Sequence, residues 1–274
     1  MDVQSGSEEV LLISDYLKRV APDLEEQITA KVAALVDAIG VTLIDLSAYR
    51  AMADAEKAAL RAGVIDARNL FQSNANRLIE SSSQKEYDLV RHAFLILRQF
   101  EEVMNEDNLN TNPRDRYMAR NSEWIRTHLG GEVKVALWAH NSHIGKGITA
   151  AQGRELAKAH GEAYQAVGFS FSTGSFQARQ PEIGLTVDNE ILSPNCLTTN
   201  ALLSEVGSDN FYIVFDDLPN QSVASTYFST PNRMFSLGAD FNPENVNGFI
   251  FSLTLSDNFD ILIHFDDTNA AVPY

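Results

Sequence analysis

Two histidines three residues apart are the side chains in this sequence best suited to acid–base chemistry. They are His140 and His143, and Asn141 lies between them. An imidazole exchanges a proton near neutral pH without a large pKa shift, so either ring could act as a general acid or base. Asn141 could hold a histidine tautomer or donate to an oxyanion. The alternative is a pair of histidines that bond only to backbone at the end of a strand.

A metal centre and a serine nucleophile are the other chemistries to weigh. Imidazole is a common zinc ligand, but the His-Glu-x-x-His pattern is absent and no cysteine lies near the pair. We therefore predict no metal and no cofactor, with a metal-dependent hydrolase as a lesser alternative. No Gly-x-Ser-x-Gly sequence marks a nucleophilic serine either. Hydrolysis would then use water activated by a histidine or a carboxylate.

A charged cluster at the start of a predicted helix is the third candidate. It consists of Arg114, Asp115 and Arg116. Asp115 suits the positive end of a helix dipole, so a simple helix start explains the cluster and is favoured by the sequence. In the functional alternative, Arg114 or Arg116 holds a carboxylate or orients a histidine.

The elements that must position these residues change in character along the chain. Helix-favouring residues and apolar spacings of three and four predict an almost wholly helical region up to residue 130. The predicted helices cover 27–39, 51–61, 67–79, 87–104 and 114–129. Residues 133–138 are short, apolar and β-branched, which predicts a buried parallel strand. The segment 139–147 would then follow the carboxyl end of that strand, where open parallel sheets usually bind ligands.

Helices and strands alternate after this point. Further strands are predicted at 163–171, 211–215, 247–254 and 259–265, and helices at 148–159 and 197–206. This order predicts an α/β fold with a mostly parallel sheet and a large helical insertion or cap. We expect one domain over 1–274, with a helical part at 1–130 and an α/β part at 131–274.

Composition narrows the class of partner. The formal net charge of -16 disfavours nucleic acid and anionic membrane surfaces, which are themselves polyanions. No apolar run approaches the roughly 20 residues that span a bilayer, and no signal peptide is recognisable. The single cysteine, Cys196, excludes an intrachain disulfide and suits a reducing compartment, so we expect a cytoplasmic protein. The sequence leaves the oligomeric state open.

Several segments in a fixed order resemble the erythromycin esterase family. The hexapeptide Trp-Ala-His-Asn-Ser-His at 138–143 resembles the family signature that follows a hydrophobic strand. Residues 114–119 resemble the preceding family helix, and 166–171 resemble the following strand. Residues 259–268 resemble the C-terminal end of the family, and even 1–4 resemble an internal segment. The resemblance therefore covers the whole chain, as the C-terminal two-thirds of a family member.

The resemblance implies hydrolysis of a small-molecule ester or lactone, typified by macrolide ring opening in antibiotic resistance. His140 and His143 would line the cleft, where they would orient water or protonate the leaving alkoxide, and Arg116 would anchor a carboxylate or a substrate oxygen. Family members carry an upstream strand and loop with a Thr-His pair and a glutamate, and the histidine of that segment is the one that would activate water. This sequence has no counterpart. Arg120 also stands where a glutamate is common. The alternative is therefore a truncated or degenerate domain that binds a ligand without catalysis.

Overall fold

A computed structural model describes residues 6–40, 43–106 and 113–271, with only the backbone described for 43–45. The chain divides into two compact units, Met1–Val135 and Ala136–Tyr274. Each unit has a hydrophobic core of its own. Within the described residues, the helices are too short or too polar for any of them to cross a membrane.

The first unit is helical. Its described helices are α1 (Ser7–Val20), α2 (Pro22–Ile39), α3 (Leu43–Ala51), α4 (Asp54–Ser73), α5 (Ala75–Glu80), α6 (Gln84–Asn105) and α7 (Arg114–His128). Apolar side chains from α1, α2, α4 and α6 meet in one core. The prediction of a helical N-terminal part is thus confirmed.

Helix α6 shows how sequence dictates this unit. Ser83 caps its start by accepting a hydrogen bond from the Glu86 backbone N–H at 3.1 Å. Apolar residues recur at three and four along the helix, and Val90, Phe94 and Leu97 are buried in the core. The resulting apolar stripe faces the neighbouring helices, as an amphipathic helix requires.

Two boundaries differ from the prediction. The helices predicted at 51–61 and 67–79 are largely one helix, α4, followed by the short α5. Gly63 lies inside α4 without ending it, since an isolated glycine weakens a helix only modestly. Helix α7 ends as predicted, because Gly130 and Gly131 adopt φ angles of 124° and 81° that favour glycine.

The second unit contains short helices and two sheets. Its helices are α8 (Asn141–Ile144), α9 (Gln152–His160), α10 (Thr199–Ser204), α11 (Val223–Phe228) and α12 (Leu255–Asn258). Its strands are β1 (Val167–Gln180), β2 (Gly184–Ile191), β3 (Asn210–Val214), β4 (Asn232–Phe235), β5 (Ile250–Leu253) and β6 (Ile261–Thr268). The predicted elements at 148–159, 163–171, 197–206, 211–215, 247–254 and 259–265 are each represented here, with shifted ends.

The main sheet is mixed, so the predicted mostly parallel arrangement is corrected. Its strand order is β2-β1-β6-β3. Strands β1 and β6 are parallel, with Val167 opposite Ile261, whereas β2 and β3 run antiparallel to their neighbours. Strand β2 follows β1 through a three-residue connection, which is long enough only for an antiparallel return.

The prediction of a strand at 133–138 is wrong. Residues 133–140 have no regular secondary structure, and Trp138 is 89% exposed. Among the described residues, no backbone hydrogen bond pairs 133–138 with a strand. A β-branched apolar run favours a strand only where a neighbour pairs and packs with it, and that condition is invisible in the run itself.

Acid should destabilise the helical unit through His92. This side chain is 6% exposed, and burial lowers its pKa to about 4. An unfolded histidine has a pKa of about 6.5, so the unfolded chain takes up the proton first as the pH falls through this window. The contribution of neutral His92 to stability is therefore fully present above its unfolded pKa. It is lost as the pH falls towards the folded pKa of about 4. We expect the loss to reach about 2–3 kcal/mol near pH 4.5.

Urea unfolding followed by far-UV circular dichroism at neutral and acid pH tests this linkage. Carboxylates also titrate in this range, so the comparison is with His92→Gln, which keeps a polar side chain but cannot take up the proton. The variant should lose about 2 kcal/mol less than the parent on acidification. Equal losses in the two proteins would show that His92 does not drive the effect.

Candidate active site

His140 begins a single helical turn, α8, and its ring is part of that turn. The imidazole Nδ1 accepts a hydrogen bond from the Ser142 backbone N–H at 3.1 Å. The Ser142 hydroxyl also lies 2.8 Å from Nδ1. Because Nδ1 accepts the backbone bond, the neutral ring carries its proton on Nε2.

The opposite edge of the His140 ring contacts a second segment of the α/β unit. Nε2 lies 3.4 Å from the Ser236 hydroxyl. Burial lowers the pKa of His140, and the nearby backbone of Leu237 opposes this effect. Both ring nitrogens therefore contact protein groups, which fixes the orientation of the ring. Nothing in the sequence near residue 140 pointed to Ser236.

His143 lies one helical turn beyond His140. Its backbone N–H donates to the His140 carbonyl at 2.8 Å, and side chains three residues apart lie on the same face of a turn. The charge of His143 contributes to lowering the pKa of His140, which places the two rings within electrostatic reach. The two histidines therefore lie on one helical turn and not at the end of a strand, and a joint role of their rings in one cavity stays a prediction.

Asn141 fastens α8 to the sheet. Its amide Nδ2 donates to the Phe169 carbonyl at 2.6 Å, and its Oδ1 accepts from the Phe169 N–H at 3.0 Å. The side chain thereby binds the free backbone edge of β1 as a neighbouring strand would. These two contacts bind the turn to β1, and the predicted contact of Asn141 with a histidine tautomer or an oxyanion stays a prediction.

Replacing Asn141 with alanine should destabilise the α/β unit. The substitution leaves the Phe169 N–H and C=O without protein partners, and such a loss costs about 1–3 kcal/mol. Chemical unfolding measures this cost. The matched control is Asn247→Ala, which removes an exposed amide whose Oδ1 accepts from Asn195 at 2.9 Å. We expect the control to change stability by less than about 0.5 kcal/mol, and equal effects would contradict the assigned role.

The chain after His143 is held by two side-chain contacts. Tyr164 donates to the Ile144 carbonyl at 2.8 Å. Lys146 pairs with Asp260 at 2.5 Å, and the other oxygen of Asp260 accepts from the Ala166 N–H at 2.6 Å. The segment 141–147 is thus fixed to the first residues of β1 and to the chain before β6.

The cluster Arg114, Asp115 and Arg116 lies in the helical unit, on the first turn of α7. Arg116 is exposed, and its guanidinium lies over the Tyr117 ring, 5.7 Å from the centroid. This local contact fits the helix-start interpretation. The predicted role in holding a carboxylate or orienting a histidine stays a prediction.

A buried polar network beside the candidate site was missed by the sequence analysis. His264 on β6 is fully buried between two serines of β1, with Ser170 Oγ 2.8 Å from Nδ1 and Ser172 Oγ 3.1 Å from Nε2. Ser172 donates onward to the Asn200 carbonyl at 3.1 Å. Burial lowers the pKa of His264. The alternation Phe-Ser-Phe-Ser at 169–172 was the available signal, because it places both serines on one face of a strand.

Metal ligands are not grouped in the part of the chain that the structure describes. Over 6–40, 43–106 and 113–271, no three side chains of histidine, cysteine, aspartate or glutamate are placed to share an ion. Cys196 is exposed and forms no disulfide.

The described chain thus consists of a helical unit followed by an α/β unit that carries a histidine-bearing turn beside its sheet. The family model of erythromycin esterase matches residues 1–268, and the chain belongs to the erythromycin esterase family. The chain is 30% identical to an erythromycin esterase type II from Escherichia coli over 119 residues, which are 39% of this chain and 28% of that protein.

Solved structures share the fold. A Bacillus cereus protein superposes with a TM-score of 0.76 at 21% identity, and the match covers 98% of this chain and 65% of the Bacillus cereus protein. A succinoglycan biosynthesis protein superposes with a TM-score of 0.76 at 19% identity, and the match covers 98% of this chain and 64% of that protein. A histidine-to-asparagine mutant of the erythromycin esterase EreC, in its open conformation, superposes with a TM-score of 0.67 at 16% identity. That match covers 99% of this chain and 68% of the mutant. The chain therefore spans about two thirds of the length of these solved proteins.

Proposed function

We propose that this protein hydrolyses carboxylic esters and that its substrate is a small-molecule ester or lactone, with macrolide ring opening as the leading activity. Membership of the erythromycin esterase family supports the reaction class. The observation that carries the proposal is the pair of imidazoles on one rigid turn, α8, bound to the sheet through Asn141.

The two histidines have different roles in this proposal. The His140 ring is held by the start of α8 and by the segment at Ser236, so it positions the turn and keeps its neighbour in place. His143 either orients the attacking water or gives its proton to the leaving alkoxide. Addition of water across the acyl–oxygen bond gives a carboxylic acid and an alcohol. Removal of the proton from water is assigned to a histidine or a carboxylate, the groups that activate water in this type of hydrolysis.

Incubation of the purified protein with erythromycin, followed by mass spectrometry, tests the activity. Ring opening adds one water to the mass of the macrolide, and a nitrophenyl ester assayed in parallel reports general esterase activity. Hydrolysis of either substrate above a heat-denatured control supports the proposed class. Absence of hydrolysis of both would overturn it.

A ligand-binding domain without catalysis is the second candidate. It is favoured by the engagement of both His140 nitrogens with protein groups, which leaves that ring no acceptor for a water proton. Erythromycin that binds in equilibrium dialysis but is recovered intact would select this candidate.

A further inference from the structure

The helical unit contains a cavity that none of the candidate catalytic residues lines. Its volume is about 710 Å³, and its walls come from α2, α4, α6 and α7. This size lies within the range of small-molecule pockets. One wall is apolar and includes Leu35, Val64, Ile65 and Leu95. The cavity can therefore accept an apolar body.

Most charges around the cavity cancel in pairs. Arg61 binds Glu101 at 2.7 Å, Arg91 binds Asp88 at 3.0 Å and Arg98 binds Glu102 at 3.2 Å. Each of these six residues lines the cavity. The paired guanidinium groups have their carboxylates already, so they contribute little net attraction for an anion.

Arg68 is the arginine of the cavity wall that lies outside these three pairs, and Glu106 also lines the wall. Its Nε is buried without a hydrogen-bond partner, and no ion pair of Arg68 occurs within 6–40, 43–106 and 113–271. The guanidinium of Arg68 therefore has no carboxylate of its own among the described residues, and it can pair with an anionic group of a ligand in the cavity. Charge complementarity therefore points to one negative group on the ligand.

An aromatic stack forms another part of the wall. The His92 ring lies parallel to Trp124, with centroids 3.8 Å apart and planes inclined by 3°. His92 is 6% exposed, and its Nε2 is buried without a hydrogen-bond partner of acceptable geometry. Both residues line the cavity, so Trp124 is a built-in reporter of its occupancy.

We infer that this cavity is a binding site for a small amphipathic carboxylate, whose anionic group pairs with Arg68 and whose apolar body lies against the wall of leucine, valine and isoleucine. The site is independent of ester hydrolysis, because its residues belong to the helical unit alone.

Octanoate is the test probe, and octan-1-ol is its uncharged counterpart. The sequence has two tryptophans, so Trp138→Phe leaves Trp124 as the only indole signal. In that background, octanoate below its critical micelle concentration should change the Trp124 fluorescence saturably. Octan-1-ol should bind at least about tenfold more weakly, because it lacks the charge that pairs with Arg68.

Substitutions at the cavity wall separate recognition of the anion from general apolar binding. Arg68→Met should weaken octanoate binding about tenfold or more and leave octan-1-ol binding unchanged. Arg68→Lys keeps the charge and should give an intermediate affinity, and it serves in place of Arg68→Met if that variant does not fold. The matched control combines Arg91→Met with Asp88→Asn, which removes a paired arginine at constant net charge and should change affinity less than about twofold.

Three results would overturn the inference. They are the absence of a saturable octanoate signal, equal affinity for octanoate and octan-1-ol, and equal octanoate affinity in the Arg68 variants and the parent. None of these results bears on ester hydrolysis, so failure of this inference and failure of the proposed function are distinguishable.

Discussion

Replacement of His143 with alanine should lower kcat for ester hydrolysis at least about a hundredfold, with KM changed little. This is the lower range for loss of a general acid or base. The reason is that the two histidines of α8 have different roles in the proposed mechanism. The His140 ring contacts protein through both nitrogens and positions the turn, and His143 follows one turn later. A proton-transferring group acts mainly on the chemical step, so kcat should carry the loss.

Steady-state kinetics on erythromycin or a nitrophenyl ester measures this effect. His160→Ala is the matched control, because it removes another histidine of the same unit, at the end of α9. The control should retain kcat within about twofold, as expected for a side chain outside the chemical step. Unchanged kcat in His143→Ala would remove this residue from the mechanism.

His140 should respond differently to a conservative change. Asparagine is among the best residues at the start of a helix, so His140→Asn can still accept from the Ser142 N–H. A positioning role predicts that His140→Asn recovers most of the activity that His140→Ala loses, with the pH profile of kcat/KM unchanged in shape. Equal loss in the two variants would instead place His140 in the proton transfer itself.

The sequence was most informative where local rules decide the structure. The helices of the first unit follow from residue spacing, and the end of α7 follows from the pair Gly130 and Gly131. The position of His140 and His143 on one helical turn also follows from spacing. In each case the interacting atoms lie within about one helical turn, so a short stretch of sequence contains the whole interaction.

Features that depend on distant neighbours could not be predicted in this way. The run at 133–138 has the composition of a strand but lacks a pairing partner in the described chain. Asn141 contacts Phe169, and His140 contacts Ser236, across 28 and 96 residues. The cavity beside Arg68 likewise combines four helices. No local pattern encodes such contacts, because the fold alone brings these segments together.

Gly153→Ala should destabilise the α/β unit by about 1–3 kcal/mol or more. A Cβ at this position would lie 1.9 Å from the Ile144 carbonyl oxygen and 2.2 Å from its carbonyl carbon. Both atoms belong to the backbone at the end of α8, so no side-chain rotation relieves the clash. Helix α9 must move away, which also disturbs the bond from Tyr164 to the Ile144 carbonyl at 2.8 Å.

The same substitution at Gly63 should have the opposite sign. The nearest atom to a Cβ there lies 3.9 Å away, and the residue is inside α4, where alanine is favoured over glycine by about 0.8–1 kcal/mol. Chemical unfolding of the two variants therefore compares a steric clash with a gain in helix propensity. Equal stabilities would mean that α8 and α9 do not pack as closely as the structure shows. Because Ile144 is adjacent to His143, Gly153→Ala should also reduce esterase activity under conditions where the variant is still folded.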